Sequence, residues 1–178
     1  MALTETMLET ARLLLNQPTP EDISAMFRIL SDRRTTRFNP SDALIWNEEA
    51  EGLFQRWERH WEDHGVGYFA VRLPGREDPI GFAGVKHVAL SGRPVLNLYY
   101  RFDPAVWHRG YGREAVAAVV AHVNEFLELP PILALVHPAN TASLRIVTSL
   151  GFERNEAAAV SGADGYQDAD VLNWDRQL

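Results

Sequence analysis

The stretch from Val95 to Glu128 does most to limit what this chain can fold into. Val95 to Phe102 reads VLNLYYRF, rich in the Leu, Tyr and Phe that suit a pleated, half-buried surface. Asp103-Pro104 ends that strand and Trp107-His108-Arg109-Gly110-Tyr111-Gly112 follows. Val116, Val119, Val120, Val123, Phe126 and Leu127 then recur at helical spacing. Glycines between a strand end and a helix start let backbone N–H groups approach an anion, with the helix dipole favouring its charge. Arg109 and Arg113 flank those glycines and can add charge-assisted hydrogen bonds to phosphate. The segment reads as a diphosphate cradle. Gly110-x-Gly112 alone also fits a plain tight turn. A dinucleotide loop fits less well, because Ala115 stands where the third glycine of Gly-x-Gly-x-x-Gly belongs.

The rest of the composition narrows the class. One domain spanning 1–178 is the natural expectation for this length, and a 46% hydrophobic content allows a sizeable core. The net charge of −7 argues against a nucleic-acid binder and permits a cationic substrate. Lys86 is the one lysine among seventeen basic residues, a pattern that reads as coding bias and not as a phosphate surface. With no cysteine, a disulfide framework, a thiol nucleophile and a thiolate metal site are all excluded. No run approaches membrane-spanning length and the N-terminus lacks an apolar signal core, so a cytoplasmic setting without membrane partners is expected.

In chain order, Met1 to Met7 reads as a loose end and Leu8 to Leu15 as a first strand stopped before Pro18. Thr19-Pro20-Glu21-Asp22 is a helix start, with Ile23, Met26, Phe27 and Leu30 on the apolar face. Asp32 to Asp42 is polar, proline-punctuated loop. A second helix covers Asn47 to about His64, where Ala50, Leu53, Phe54, Trp57 and Trp61 form one stripe and read as core. Gly67 to Leu73 and Pro79 to Ala89 are strands joined by a turn-rich loop, and Ser91 to Pro94 turns into the Val95–Phe102 strand. The crossover helix ends near Leu129, before Pro130-Pro131, and Ile132 to Val136 has the look of a strand buried on both faces. Asn140 is a good helix cap ahead of Leu144, Val147 and Leu150, with Gly151-Phe152 as the stop. Phe152 to Val160 and Tyr166 to Trp174 make a terminal strand pair around Ser161 to Gly165.

Several of these segments, in this order, resemble the GNAT N-acetyltransferase superfamily. Trp107 to Gly112 is similar to its acyl-CoA motif Gln/Arg-x-x-Gly-x-Gly/Ala, with Trp107 in the first place. The run Gly110-Tyr111-Gly112-Arg113-Glu114-Ala115 and the opening Glu9-Thr10-Ala11-Arg12-Leu13 resemble the ribosomal-protein N-terminal (RimJ/RimL-like) branch. Asn140-x-x-Ser143, ending in Leu150-Gly151-Phe152, is similar to the superfamily's Asn-x-x-Ala/Ser…Gly-Phe element. The resemblance implies an α/β (α+β) fold with a central mixed, mostly antiparallel sheet of about seven strands. A V-shaped splay would separate strands 4 and 5, and about four helices would flank the sheet.

The same resemblance implies acetyl-CoA as cosubstrate, no metal, and direct transfer to a primary amine in a ternary complex. The acceptor would be a small molecule or a peptide N-terminus, and the protein a monomer or homodimer. Tyr100, Arg101 and Phe102 are expected to hold the pantetheine and acyl carbonyl through their backbone. Trp107, His108, Arg109, Gly110, Tyr111, Gly112 and Arg113 would receive the diphosphate, while Asn140 and Ser143 would meet the pantetheine arm and the sulfur. Many members carry a tyrosine acid seven residues after the Asn, where this chain has Val147. Ser143 and Tyr100 are therefore the catalytic candidates. A Glu often used as base is replaced by Asn97, which leaves Tyr99, Tyr100, Asp103 or a water chain for that role. Trp46, His60 and His64 are weaker candidates for acceptor contact, since the first two helices wall that site in the superfamily. An acyl-CoA-binding module without catalysis is the competing reading.

Overall fold

A computed structural model describes residues 7–90, 92–126 and 128–154, and the backbone of 170–173. In chain order these form β1 (Met7–Glu9), β2 (Leu14–Asn16), α1 (Ile23–Leu30), α2 (Asn47–His64), β3 (Tyr68–Arg72), β4 (Gly81–Leu90) and β5 (Arg93–Phe102). There follow α3 (Tyr111–Asn124), β6 (Ile132–Val136), α4 (Thr141–Ser149), β7 (Glu153–Arg154) and β8 (Asp170–Asn173). The strands lie in one sheet in the order β1-β2-β3-β4-β5-β6-β8-β7, antiparallel throughout except for the parallel β5–β6 pair. The expected mixed sheet with four flanking helices is what the described residues form.

Two expectations need correcting. The first strand is not continuous: β1 and β2 form a small antiparallel hairpin, Met7 opposite Asn16, because Thr10 to Arg12 turn away to bond α3. That break brings the described strands to eight, where about seven were expected. The crossover helix stops at Asn124, short of Pro130. Of the terminal pair, the loop from Ser161 to Gly165 lies outside the described residues.

The two sheet faces carry separate cores, as alternation along strands requires. Met26, Ile29 and Leu30 of α1 and Phe54 and Trp57 of α2 pack on one face with Phe82 and Tyr99. Val116, Val119, Val120 and Val123 of α3 and Val147 of α4 cover the other, against Leu96, Leu98 and Phe102. Trp57 meets Tyr68, Phe82 and Tyr99 edge-on at 5.0, 5.3 and 6.0 Å, and the Trp61 indole N–H donates to the Tyr68 carbonyl at 3.0 Å. Both tryptophans are core, as their helical spacing predicts.

Candidate active site

The site begins where the sheet comes apart. Strand β6 pairs with β5 only from Leu96↔Ile132 to Leu98↔Ala134, although β5 runs on to Phe102 and β6 to Val136. On its other edge β5 stays paired with β4 as far as Phe102↔Gly81. The last four residues of β5 therefore keep one ladder and lose the other. A cleft of about 980 Å³ opens there, reaching from Tyr100 and Ser143 on one side to α2 and the loop around Asp42 on the other.

Alternation decides what each residue offers this cleft. The Leu96 N–H donates toward β6, to the Pro131 carbonyl at 2.9 Å, and the Asp103 N–H donates toward β4, to Ile80 at 2.9 Å. Even-numbered peptide groups of β5 thus point into the splay and odd-numbered ones into the β4 ladder. Tyr100 and Phe102 present backbone to the splay, and the Phe102 carbonyl already accepts from the Trp107 indole N–H at 2.9 Å. Arg101 spends its backbone on β4 and enters the cleft through its side chain.

Tyr100 reaches across the opening. Its hydroxyl forms a short hydrogen bond with the Ser143 hydroxyl at the start of α4, and it lies 3.2 Å from the Ser143 carbonyl. Burial pushes the Tyr100 hydroxyl up to about 12, against the smaller opposing effect of Ser143, so it stays protonated at neutral pH. Asn140 caps α4, its Oδ1 accepting from the Ser143 N–H at 3.1 Å, which leaves its amide N–H₂ for another partner. Val147 is fully buried among core residues and does not face the cleft.

Beside the splay, a single helical turn at Pro104–Val106 leads into the exposed segment Trp107–Gly110 and then α3. The left-handed residues are His108 (φ 62°) and Gly110 (φ 79°), and Gly110 caps the helix. Gly112 is already helical. A Cβ there would stand 3.3 Å from Ile146 Cδ1 and 3.8 Å from the Phe102 ring, so its lack of side chain serves close packing of α3 against α4. The Glu114 N–H donates to the Gly110 carbonyl at 3.1 Å, leaving the amides of Tyr111 to Arg113 as the open first-turn donors. Arg109 is exposed, whereas the Arg113 Nε donates to Ser149 Oγ at 3.0 Å and so ties α3 to α4. Free amides, a left-handed turn and an exposed arginine fit an incoming diphosphate.

Residues that sequence reasoning left without a role fix this loop. Glu114 accepts from the Thr10 hydroxyl at 2.7 Å, the Arg12 amide at 2.9 Å and the Arg12 Nε at 2.7 Å. Arg12 also donates to the Arg109 carbonyl at 2.9 Å and stacks over the Tyr111 ring. Burial raises the Glu114 carboxyl, but the Thr10 and Arg12 hydrogen bonds outweigh it and hold the group below its usual value. The signal lay in the two motif fragments, Glu9 to Leu13 and Gly110 to Ala115, whose spatial pairing no local pattern announces.

The remaining candidates separate. Asp103 is not in the cleft: its Oδ1 caps the turn through the Ala105 N–H at 2.9 Å and its other oxygen pairs with Arg28. Tyr99 lines the cleft, and burial pushes its hydroxyl up, which unfits it as a base. Asn97 lines the cleft too. Trp46 stands 68% exposed outside the lining, and His60 and His64 cluster with His87 at the far end of α2. Among the described residues no group of side chains is arranged to hold a metal, and no helix is long and apolar enough to cross a membrane.

A splayed parallel pair with a glycine-capped helix beside it is the arrangement that the resemblance to acetyltransferases implied, and comparison with known proteins places the chain in that class of enzyme. The chain belongs to the GNAT acetyltransferase family: residues 12–153 match the model described as the acetyltransferase (GNAT) domain. It is 27% identical over 148 residues to the uncharacterized N-acetyltransferase YoaA of Bacillus subtilis, covering 83% of both chains. An acetyltransferase from Agrobacterium tumefaciens has a solved structure that superposes with a TM-score of 0.81 at 22% identity, covering 99% of this chain and 98% of that one. RimL, a ribosomal L7/L12 α-N-protein acetyltransferase solved with coenzyme A as a disulfide to one of its cysteines, superposes with a TM-score of 0.76 at 13% identity, covering 95% and 97%.

Proposed function

We propose that the protein transfers the acetyl group of acetyl-CoA directly to a primary amine, with residues 1–178 acting as one N-acetyltransferase domain. The observation that carries this reading is the Tyr100–Ser143 hydroxyl contact, which spans the splay just where β5 loses β6. Acetyl-CoA supplies an acyl group already activated as a thioester, so that a C–N bond forms as a C–S bond breaks. The α3 first-turn amides and Arg109 receive the diphosphate, and the Asn140 N–H₂ and the Tyr100 and Phe102 peptide groups hold the arm along the free edge of β5. An N–H on that edge polarises the acyl carbonyl.

The proton comes from the hydroxyl pair. Ser143 Oγ or the Tyr100 hydroxyl donates to the sulfur, and the other hydroxyl refills it. A group neutral up to about pH 12 is a weaker acid than a thiol, so it gives its proton to the departing sulfur only as the amine's proton returns to the pair. The amine reacts in its neutral form. No carboxylate among the described cleft residues is free to take its proton: Glu49 accepts from the Ile45 and Trp46 amides at 2.6 and 2.8 Å, and Asp42 pairs with Arg101 at 3.2 Å. Water in the open cleft is left to carry it.

The test combines binding with turnover. CoA and acetyl-CoA raise the melting temperature and NAD does not, since a ligand of the folded state stabilises by mass action. A panel of amines with acetyl-CoA then releases free thiol. CoA binding with no turnover on any amine would convert the reading to a catalytically silent acyl-CoA module.

A further inference from the structure

Three polar atoms are buried on the acceptor face of β5 without a partner among the described residues: Asn97 Oδ1, the Tyr99 hydroxyl and Arg101 Nη1. They sit at alternate positions of one strand, so they line one wall of the cleft. Arg101 is 8% exposed, and its guanidinium lies 5.3 Å from the Tyr99 ring centre. Asp42 takes one of its N–H groups at 3.2 Å, but Asp42 is itself 48% exposed on the surface loop and leaves Nη1 unmet. A buried guanidinium edge without an acceptor is costly unless a ligand completes it.

The charge around it points the same way. The cleft wall carries Arg56, Lys86 and Arg101 as cations, while its two carboxylates are spent on Arg101 and on the cap of α2. A protein of net charge −7 therefore holds a basic acceptor pocket, the opposite of what a polyamine needs. These groups do not serve the diphosphate. Arg101 projects to the α1–α2 face, whereas Tyr100 beside it projects to the α3–α4 face, where the phosphate loop lies.

We infer that the acceptor is a small amine carrying a carboxylate, of the amino-acid class, bound with that carboxylate against Arg101 Nη1 and the Tyr99 hydroxyl. This rests on the acetyltransferase reading. Arg101 and the free edge at Tyr100 are consecutive residues, so amine and carboxylate must be only a few bonds apart. A monoanion suits one guanidinium edge whose other side Asp42 already neutralises in part.

The probes are N-acetylglycine and its uncharged partner N-acetylglycinamide, titrated into the whole protein by calorimetry, with CoA titrated separately. The wild type is expected to bind the acid about tenfold or more tightly than the amide, a charge-assisted contact against a neutral one. Arg101→Gln removes that preference and, because its peptide groups belong to the β4 ladder, leaves CoA affinity within about twofold. Should Arg101→Gln not fold, Tyr99→Phe decides, since it deletes a hydroxyl with no described partner: its melting temperature holds or rises while the acid preference falls about threefold or more. In turnover, free amino acids outperform spermidine and a tripeptide amide. Equal binding of acid and amide by a protein that binds CoA overturns the inference, as does better acetylation of spermidine or of the tripeptide amide. An acid preference that depends on Arg101 in a protein that fails to bind CoA upholds the carboxylate subsite and overturns the acetyltransferase reading instead.

Discussion

Arg12 and Glu114, 102 residues apart, meet through a guanidinium–carboxylate pair at 2.6 Å that anchors the hairpin end of the sheet to the first turn of α3. The same Arg12 holds the Arg109 carbonyl, so one side chain fixes both the loop and the helix of the proposed diphosphate cradle.

Glu114→Ala removes four contacts at once, those from the Thr10 hydroxyl and from the Arg12 amide, Nε and Nη2. We expect a loss of about 1–3 kcal/mol in denaturant unfolding, typical of hydrogen bonds to a charged group, together with weaker CoA binding. In a double-mutant cycle with Arg12→Ala the two losses are expected to be strongly non-additive. Additive losses with unchanged CoA affinity would show the pair to be a surface contact only.

Gly110 is the position where backbone freedom is needed. At φ 79° Gly110→Ala costs about 1–2 kcal/mol, and Gly110→Asn costs less, because Asn tolerates the left-handed region. Gly112→Val fails for a different reason: the branched side chain presses on Ile146 and moves α3 from α4. Chemical denaturation and CoA titration of the three variants should rank Asn above Ala at position 110, and show Gly112→Val losing both stability and affinity.

Tyr100→Phe and Ser143→Ala each break the hydroxyl pair. Each is expected to lower kcat by about 10²-fold or more with little change in acetyl-CoA affinity, as for a positioned proton donor. The double variant should fall scarcely further, because residues that act as a unit are not additive. Full kcat in either single variant would remove that residue from the chemistry.

His60, His64 and His87 pack with ring centres 4.4 to 5.9 Å apart. Burial first, then the charges of His64, His87 and Lys86 against Asp63, push His60 down to about 4, and burial and His64 lower His87. The unfolded chain then takes protons that the folded one refuses. The stability these neutral imidazoles give is complete above about pH 6.5 and is lost as pH falls toward 4. Glu114, with its lowered pKa, adds a second loss only as pH falls below the ordinary glutamate value of about 4.5. Unfolding free energy measured across this range should slope between pH 6.5 and 4 in the wild type and slope less steeply in His60→Gln, where the buried His87 still contributes.

Local chemistry alone determined much of the molecule. Helix α2 follows from its apolar stripe and the glycine after His64, and β6 from an apolar run behind Pro130-Pro131. Asn140 was legible as a cap because a short polar side chain before a periodic run satisfies the orphan N–H groups of the next turn. The glycine-bearing helix start after β5 was legible because glycine takes the left-handed turn that opens a helix at no steric cost. What the sequence could not decide were relationships between distant segments. The hairpin break at Thr10 to Arg12 exists because Glu114 draws those residues in, and nothing near Thr10 records that pull. Which of Gly110 and Gly112 needed positive φ depended on where α3 begins and how close α4 packs. Tyr100 and Arg101 are neighbours in sequence, yet the pleat sends one to the hydroxyl pair with Ser143 and the other, its Nη1 unmet, into the wall of the cleft. Side-chain alternation is a local rule, but what waits on each face of the sheet is set only when the helices have packed.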